Sequence, residues 1–407
     1  MSTAAKKVVI VGAGIVGLST ACRMAEDGYD VTVIEKERAP GAGTSKANAG
    51  QLLFDRIGAM GSPGFLRSLP GTLVDPSQGV RAYGLAHPLR WPWLGAFLRE
   101  CTQTAWQQNT RRLLELAHVS RAAMHGFSTR HTMEFDWRQP GKLITYATEK
   151  ALASASRSAD FQGQFGGRHH VVSRDACIEH EPALHKTGRQ IAGGIHLPDA
   201  EVGDCNKCCQ ELARILVEQL GGTIHFETPV LDIVRKGGRV LALQTDRQAI
   251  VGDLFVLATG MATQKLLRDR FAGKKPIVGV MGISLTYPVA DGAPNLSVTD
   301  ALGKFVVVRL GQRLRVTGNA VFTDRLRASP QDIERLKFKA QTLMPAAARY
   351  NDPPEVWAGA RPQTPDDLPM IGRAGAQNLF VNAGHGSLGW TLAFGSAEAL
   401  LQAIKSV

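Results

Sequence analysis

The chain has 407 residues, 44% of them hydrophobic and 20% charged, which suits two or three globular domains with an extensive core. Its 47 Lys and Arg against 36 Asp and Glu give a formal charge of +11, so anionic partners are favoured: acidic substrates, nucleic acid or an anionic membrane surface. No block of five or six like charges occurs, which excludes a nucleic-acid tail, and no run of about 18 apolar residues predicts a transmembrane helix. The start shows no basic-then-apolar signal, so a cytoplasmic setting is expected, and the six cysteines fit a reducing compartment.

The first forty residues carry the strongest signal. Val8-Val9-Ile10-Val11 reads as a buried parallel strand that runs into Gly12-Ala13-Gly14-Ile15-Val16-Gly17. Gly12 permits the tight turn, Gly14 lets a pyrophosphate approach the backbone, and Gly17 lets the next helix pack close to the sheet. Ile15 and Val16 open that helix, whose free N–H groups face the phosphates. Residues 31–34 form a second strand ending on Glu35, with Lys36 beside it, where a carboxylate accepts ribose hydroxyl hydrogens. The acid repels a 2′-phosphate, which leaves NAD or FAD.

Residues 55–90 are rich in Gly, Pro and Ser and read as irregular structure. The segment from Pro88 to Arg99 gathers Trp91, Trp93, aliphatics and arginines. It predicts either a helix packed into a second domain or a membrane-surface contact, with the packed helix favoured. Residues 94–127 read as helix, 141–147 as strand, 151–161 as helix, and 193–198 as strand leading to a loop. Asp204 is expected to cap a helix over 206–220. Cys205, Cys208 and Cys209 have a ligand-like spacing but no second Cys or His pair, so no metal is expected. His169, His170, His180 and His185 read as surface residues.

Strands over 223–226, 230–234 and 239–245 follow, the last two around Lys236-Gly237-Gly238. A buried strand then ends on Ala258-Thr259-Gly260, small residues that let the backbone reach a cofactor. Residues 280–287, 304–310 and 313–318 alternate as antiparallel strands, and 333–344 is an amphipathic helix. Residues 357–390 read as loops, glycines and one buried strand, 379–383, before a last helix over 392–404. The dinucleotide pattern is thus split into separated segments, which moves weight from NAD towards FAD.

Four collinear motifs then resemble the FAD-dependent amine and D-amino-acid oxidoreductases, the glycine-oxidase-like superfamily, and most of all its D-amino-acid dehydrogenases. They are residues 9–35, Thr44-Ser45-Lys46-Ala47-Asn48-Ala49-Gly50-Gln51, Asp199-Ala200-Glu201-Val202-Gly203-Asp204-Cys205, and 359–391. The resemblance implies an α/β fold: an FAD-binding Rossmann-like domain of the glutathione-reductase type in segments 1–60, 200–262 and 355–407. An α+β substrate domain with an antiparallel sheet would occupy 61–199 and 263–354. It also implies non-covalent FAD, since no Cys lies in the C-terminal motif. Thr44 and Ser45 would meet the pyrophosphate, Asn48, Ala49, Gly50 and Gln51 would pass beside the flavin ring, and the Val230 backbone would meet the adenine.

Arg361 matches the arginine that binds the substrate carboxylate, a task that suits its two-pronged donor geometry. Gly384, Gly386, Ser387, Leu388, Gly389, Trp390 and Thr391 resemble the loop and helix start at the flavin pyrimidine end, and His385 either touches the ring or shapes that turn. The implied reaction is hydride transfer from an amino-acid Cα to flavin, with electrons passed on to a quinone or another acceptor. Met281-Gly282-Ile283 and Gly318-Asn319-Ala320-Val321 depart from the dehydrogenase pattern, which favours a bulkier, cyclic or N-substituted amino acid. Other readings are an O₂-using glycine or sarcosine type oxidase, an electron-relay flavoprotein subunit, and an NAD-dependent dehydrogenase. Oligomeric state is not encoded in these motifs. The membrane-surface reading of the Trp91 to Trp93 region would place the chain peripherally on the inner face of the cytoplasmic membrane.

Overall fold

The computed structural model describes residues 5–66, 80–81, 90–267, 275–323 and 326–406. The opening strand, Lys7–Val11, lies inside a six-stranded sheet. The sheet order is Met370–Arg373, Leu379–Ala383, Leu254–Leu257, Lys7–Val11, Asp30–Ile34 and Thr223–His225. All neighbours run parallel except the first pair. Both faces of a parallel sheet must be covered, and the opening strand shows how. Val8 and Ile10 point into one apolar cluster with the helices Ile15–Glu26, Cys205–Glu218 and Gly389–Lys405. Val9 and Val11 point into another, roofed by the antiparallel strands Val230–Lys236, Arg239–Thr245 and Ala249–Ile250. The buried thiols Cys22, Cys205, Cys208 and Cys209 belong to the first cluster as packing residues.

The second sheet has nine strands. Its main order is Glu355–Gln363, Val278–Pro288, Arg313–Phe322, Phe305–Leu310, Ser297–Asp300, Lys142–Tyr146, Gly193–Leu197 and His170–Ser173, with Val80–Arg81 paired to Arg313–Phe322. The helix Pro330–Leu343 packs on it and shares its apolar cluster.

Several elements differ from their sequence signatures. The helical stretch over 94–127 is two helices, Trp91–Glu100 and Gln103–Arg130. Thr102 between them is extended, and its hydroxyl accepts the Ala105 amide at 3.2 Å, which starts the second helix afresh. Residues 357–390 hold a nine-residue strand, Glu355–Gln363, paired along its length with Val278–Pro288. Its small residues and Pro362 concealed it, and proline is tolerated because this strand ends the main order of its sheet. The last helix begins at Gly389, three residues earlier than its apolar pattern suggests. Trp91 and Trp93 part company: Trp93 is 1% exposed and stacks on Phe97, whereas Trp91 is 60% exposed. Within the irregular stretch 55–90, residues 67–79 and 82–89 lie outside the described residues, as do Pro88 and Leu89 of the Trp-rich segment.

One buried carboxylate ties the two sheets together. Asp204 caps its helix, accepting the Asn206 and Lys207 amides at 2.9 and 3.2 Å. Its other oxygen accepts from Arg313 at 2.7 Å and Arg315 at 3.4 Å, both on the strand Arg313–Phe322. Arg315, 3% exposed, reaches on to the Asn48 carbonyl at 3.4 Å. Removing one partner of a buried ion pair leaves the other charge uncompensated. D204A is therefore expected to lose about 3 kcal/mol of stability, read as a lower urea midpoint by circular dichroism. An unchanged midpoint would exclude this junction as a stabilising contact.

Candidate active site

The glycine turn is built by contact. Gly12 has φ +110°, and a Cβ there would lie 2.6 Å from the Ala258 carbonyl oxygen. A Cβ on Gly17 would lie 1.8 Å from the Gly12 carbonyl oxygen, so no other residue lets the helix leave the strand this closely. The helix Ile15–Glu26 has Gly14 as its N-cap with no side chain capping it, which leaves its N-terminus open to an anion. Ser45 Oγ accepts the Ile15 amide at 3.1 Å, which puts its hydroxyl beside the helix start and on the cavity. Glu35 is held from both sides: Ala13 N donates to Oε2 at 2.6 Å and Glu37 N to Oε1 at 2.9 Å. Its remaining lone pairs lie on the cavity that Lys36 and Val230 also line. Lys36 Nζ sits 3.3 Å from the Glu37 carboxylate.

That cavity continues to the other sheet. Every residue assigned from sequence to cofactor or substrate lines it except Gly17, which lies behind the wall as the close-packing glycine. Thr44 differs in detail from its assignment, since its hydroxyl donates to the Ala360 carbonyl at 2.9 Å. Asn48 accepts the Gly50 amide at 2.9 Å, and Gly50, at φ +65°, turns the chain so that Gln51 can pair with Val202. Thr259 and Thr263 share a hydroxyl hydrogen bond at 2.8 Å beside Gly260, which has φ +54°. Gly384 and Gly386, at φ +80° and +54°, carry the chain from the strand Leu379–Ala383 through the short turn Gly386–Leu388 into the helix that starts at Gly389. Thr391, on its first turn, accepts the Leu53 amide at 3.4 Å.

Two buried nitrogens beside that helix start, His385 Nε2 and Trp390 Nε1, have no hydrogen-bond partner among the described residues. Burial pushes the His385 imidazole down to about 3, so it is neutral. Arg361 comes from the strand Glu355–Gln363, whose alternation puts Trp357, Gly359, Arg361 and Gln363 on one face. The Trp357 indole folds over Gly359, where a Cβ would meet the ring at 1.7 Å. The Arg361 guanidinium lies on Gly282, where a Cβ would come within 2.5 Å of Nη2, and Nη1 donates to the Asn319 carbonyl at 3.1 Å. Burial lowers its pKa from the usual guanidinium value, and among the described residues no carboxylate pairs with it. A guanidinium has five N–H donors, so donors remain for an anion entering the cavity.

The donors and glycine contacts at one end suit a dinucleotide, and the unpartnered nitrogens and helix start at the other suit a polar ring. Residues 7–403 match the family model of the FAD-dependent oxidoreductases, DAO. The chain belongs to that family. FAD is therefore its cofactor, and the NAD reading is set aside. Among relatives of this oxidoreductase, the chain is 35% identical to a D-amino acid dehydrogenase 2 of Ralstonia nicotianae, covering 98% of this chain and 96% of that one. It is 33% identical to a D-amino acid dehydrogenase of Vibrio vulnificus, covering 98% and 95%. Glycine oxidase from Bacillus cereus has a similar fold, with TM-score 0.74 at 21% identity over 98% of this chain and 97% of that one. L-proline dehydrogenase from P. horikoshii has TM-score 0.73 at 18% identity, covering 99% and 94%.

Sequence reading singled out the segments of Gly282 and Asn319 for substrate choice but missed that they lie under and beside Arg361, and it missed Trp357 over Gly359. The alternation Trp-x-Gly-x-Arg was the available signal, hidden by reading the segment as loop. The contact at Gly12 gives a direct expectation. G12A combines a φ strained for alanine with a backbone clash, so FAD should be held at least about tenfold more weakly. Bound flavin absorbance after gel filtration checks this, and full retention would contradict the contact.

Proposed function

We propose that this oxidoreductase removes two electrons from an amino acid at Cα, with Arg361 holding the substrate carboxylate. The observation that carries the reading is the buried Arg361 guanidinium, lacking a carboxylate partner among the described residues, in the cavity that runs from the glycine turn. FAD, when bound, supplies the two-electron acceptor. The chain's residues supply the rest. Arg361 fixes the carboxylate by paired N–H donors, which orients the Cα–H bond. The start of the helix Gly389–Lys405, which has no side-chain cap, would offer backbone N–H groups and a positive dipole end to the flavin when it is bound. Loss of the Cα hydride and the amine proton leaves an imino acid, which water hydrolyses to a 2-oxo acid and ammonia.

The names of the relatives favour a D-amino acid. Ile283 and Gly282, which line the substrate end beside Ala320, leave it apolar and roomy, which favours a bulky, cyclic or N-substituted side. A quinone is the acceptor this reading prefers. Trp91 and Leu98, 60% and 46% exposed and seven residues apart on the helix Trp91–Glu100, support a membrane-surface contact where such an acceptor resides. Among the described residues no helix is long and apolar enough to cross a membrane.

Two outcomes are expected. R361M should keep its FAD and raise KM for a carboxylate substrate roughly 100-fold, the equivalent of about 3 kcal/mol for a lost charge-assisted pair, with R361K between. An unchanged KM would remove Arg361 from the substrate site. The pH profile is the second. With a folded-state imidazole pushed down to about 3, His385 stays neutral from pH 5 upward and contributes no limb there. An acid limb in kcat/KM should follow the amine pKa from one substrate to the next and persist in H385N. A limb fixed across substrates and lost in H385N would make His385 the base.

A further inference from the structure

We propose that Lys142 is a positioning residue for the flavin end of the cavity: it fixes the Gln51 amide and sets a positive charge behind it. The inference rests on the FAD site described above. Lys142 opens the strand Lys142–Tyr146 within the nine-stranded sheet, in register with Ser297 on one side and Leu197 on the other. It is 5% exposed, and its Nζ donates to Gln51 Oε1 at 3.0 Å. The Gln51 amide nitrogen in turn donates to Ser297 Oγ.

The chemistry of these three groups makes lysine the deciding member. An ammonium only donates, so Gln51 must turn its oxygen towards Lys142 and its nitrogen away. Serine donates or accepts, so Ser297 alone leaves the amide free to flip. Gln51 is part of the cavity wall, and Leu53, two residues on, hydrogen-bonds Thr391 on the helix that starts at Gly389. The amide that Lys142 fixes therefore stands at the ring end of the site.

Charge points the same way. Among the described residues Lys142 has no carboxylate partner, and the other charged group whose field it feels is Arg56, a second cation. Arg56 itself donates to the Ala159 carbonyl. Burial and that neighbour lower the Lys142 ammonium to about 7. Buried Arg315 has Asp204 as its anion, and in the function proposed above Arg361 would take the substrate carboxylate. For Lys142, with Gln51 between it and the cavity, the anion would be the negative charge that bound flavin gains on two-electron reduction. A cation there stabilises the reduced cofactor more than the oxidised one.

The test is the two-electron midpoint potential of the FAD-loaded protein at pH 6, where Lys142 carries its charge, for the parent, K142M, K142Q and K142R. K142M and K142Q should shift the reduced-to-oxidised ratio at least tenfold against reduction, about 30 mV lower for a two-electron couple. K142R should keep the parent potential. Parent-like potentials in K142M and K142Q overturn the proposal. Equal losses in K142R also overturn it, because they show a packing role without a charge role. If K142M does not retain FAD, K142Q, which keeps a polar group at the site, carries the comparison. The potential needs no substrate, so failure of the amino-acid reading leaves this result standing on its own.

Discussion

The fold turns on the approach of one helix to one strand. Gly17 touches the Gly12 carbonyl, and Gly12 touches Ala258, just past the end of the neighbouring strand Leu254–Leu257. Because these backbones meet there without a side chain between them, the helix Ile15–Glu26 starts just past the end of a central strand, with its cap residue Gly14 adding no side chain over the terminus. That open terminus is an anion site before any ligand arrives. Glu35, pinned by two backbone amides at the end of the next strand, adds the acceptor that a ribose needs. In the reading proposed here the ADP half of the cofactor would be recognised by backbone geometry, which few residues can spoil and few can improve.

For the other half we propose recognition by charge. The cavity runs between the two sheets, and their junction is held by the Asp204 contacts to Arg313 and Arg315. Beyond it the larger sheet offers cations that the described protein leaves without a carboxylate partner. A buried charge of this kind is costly by itself, and it persists where a ligand completes it. Arg361 on its glycine bed and Lys142 behind Gln51 are two such groups, the first lining the cavity and the second bonded to a residue that lines it. The overall basic charge of the chain is consistent with an acidic substrate.

The sequence was legible where function constrains the backbone. The glycine turn, Glu35, the capping aspartate and the 384–391 loop could be assigned because each needs a residue type that few neighbours can replace. All of them come together on one cavity, apart from Gly17 behind its wall and the Asp204 cap at the sheet junction. It was illegible where residues act through each other. The strand Glu355–Gln363 reads as a loop because its glycine, alanine and proline serve the ring and guanidinium packed on them, not strand propensity. Lys142 looks like a surface lysine at a strand end, and only the register beside Ser297 and the reach to Gln51 show it buried. Trp91 and Trp93 share the packed helix the sequence favours, but they diverge in exposure for a similar reason. Trp93 is drawn inward by its hydrogen bond to the Gln363 carbonyl, which sequence spacing does not encode.

The central claim is that a carboxylate-bearing amine is oxidised in the cavity where Arg361 stands. The most direct measurement is anaerobic bleaching of the bound flavin by a panel of D-amino acids, D-proline derivatives, glycine and sarcosine, alongside their decarboxylated amines. The account predicts bleaching by at least one amino acid and none by its decarboxylated counterpart. Equal bleaching by both, or by the amines alone, would contradict it.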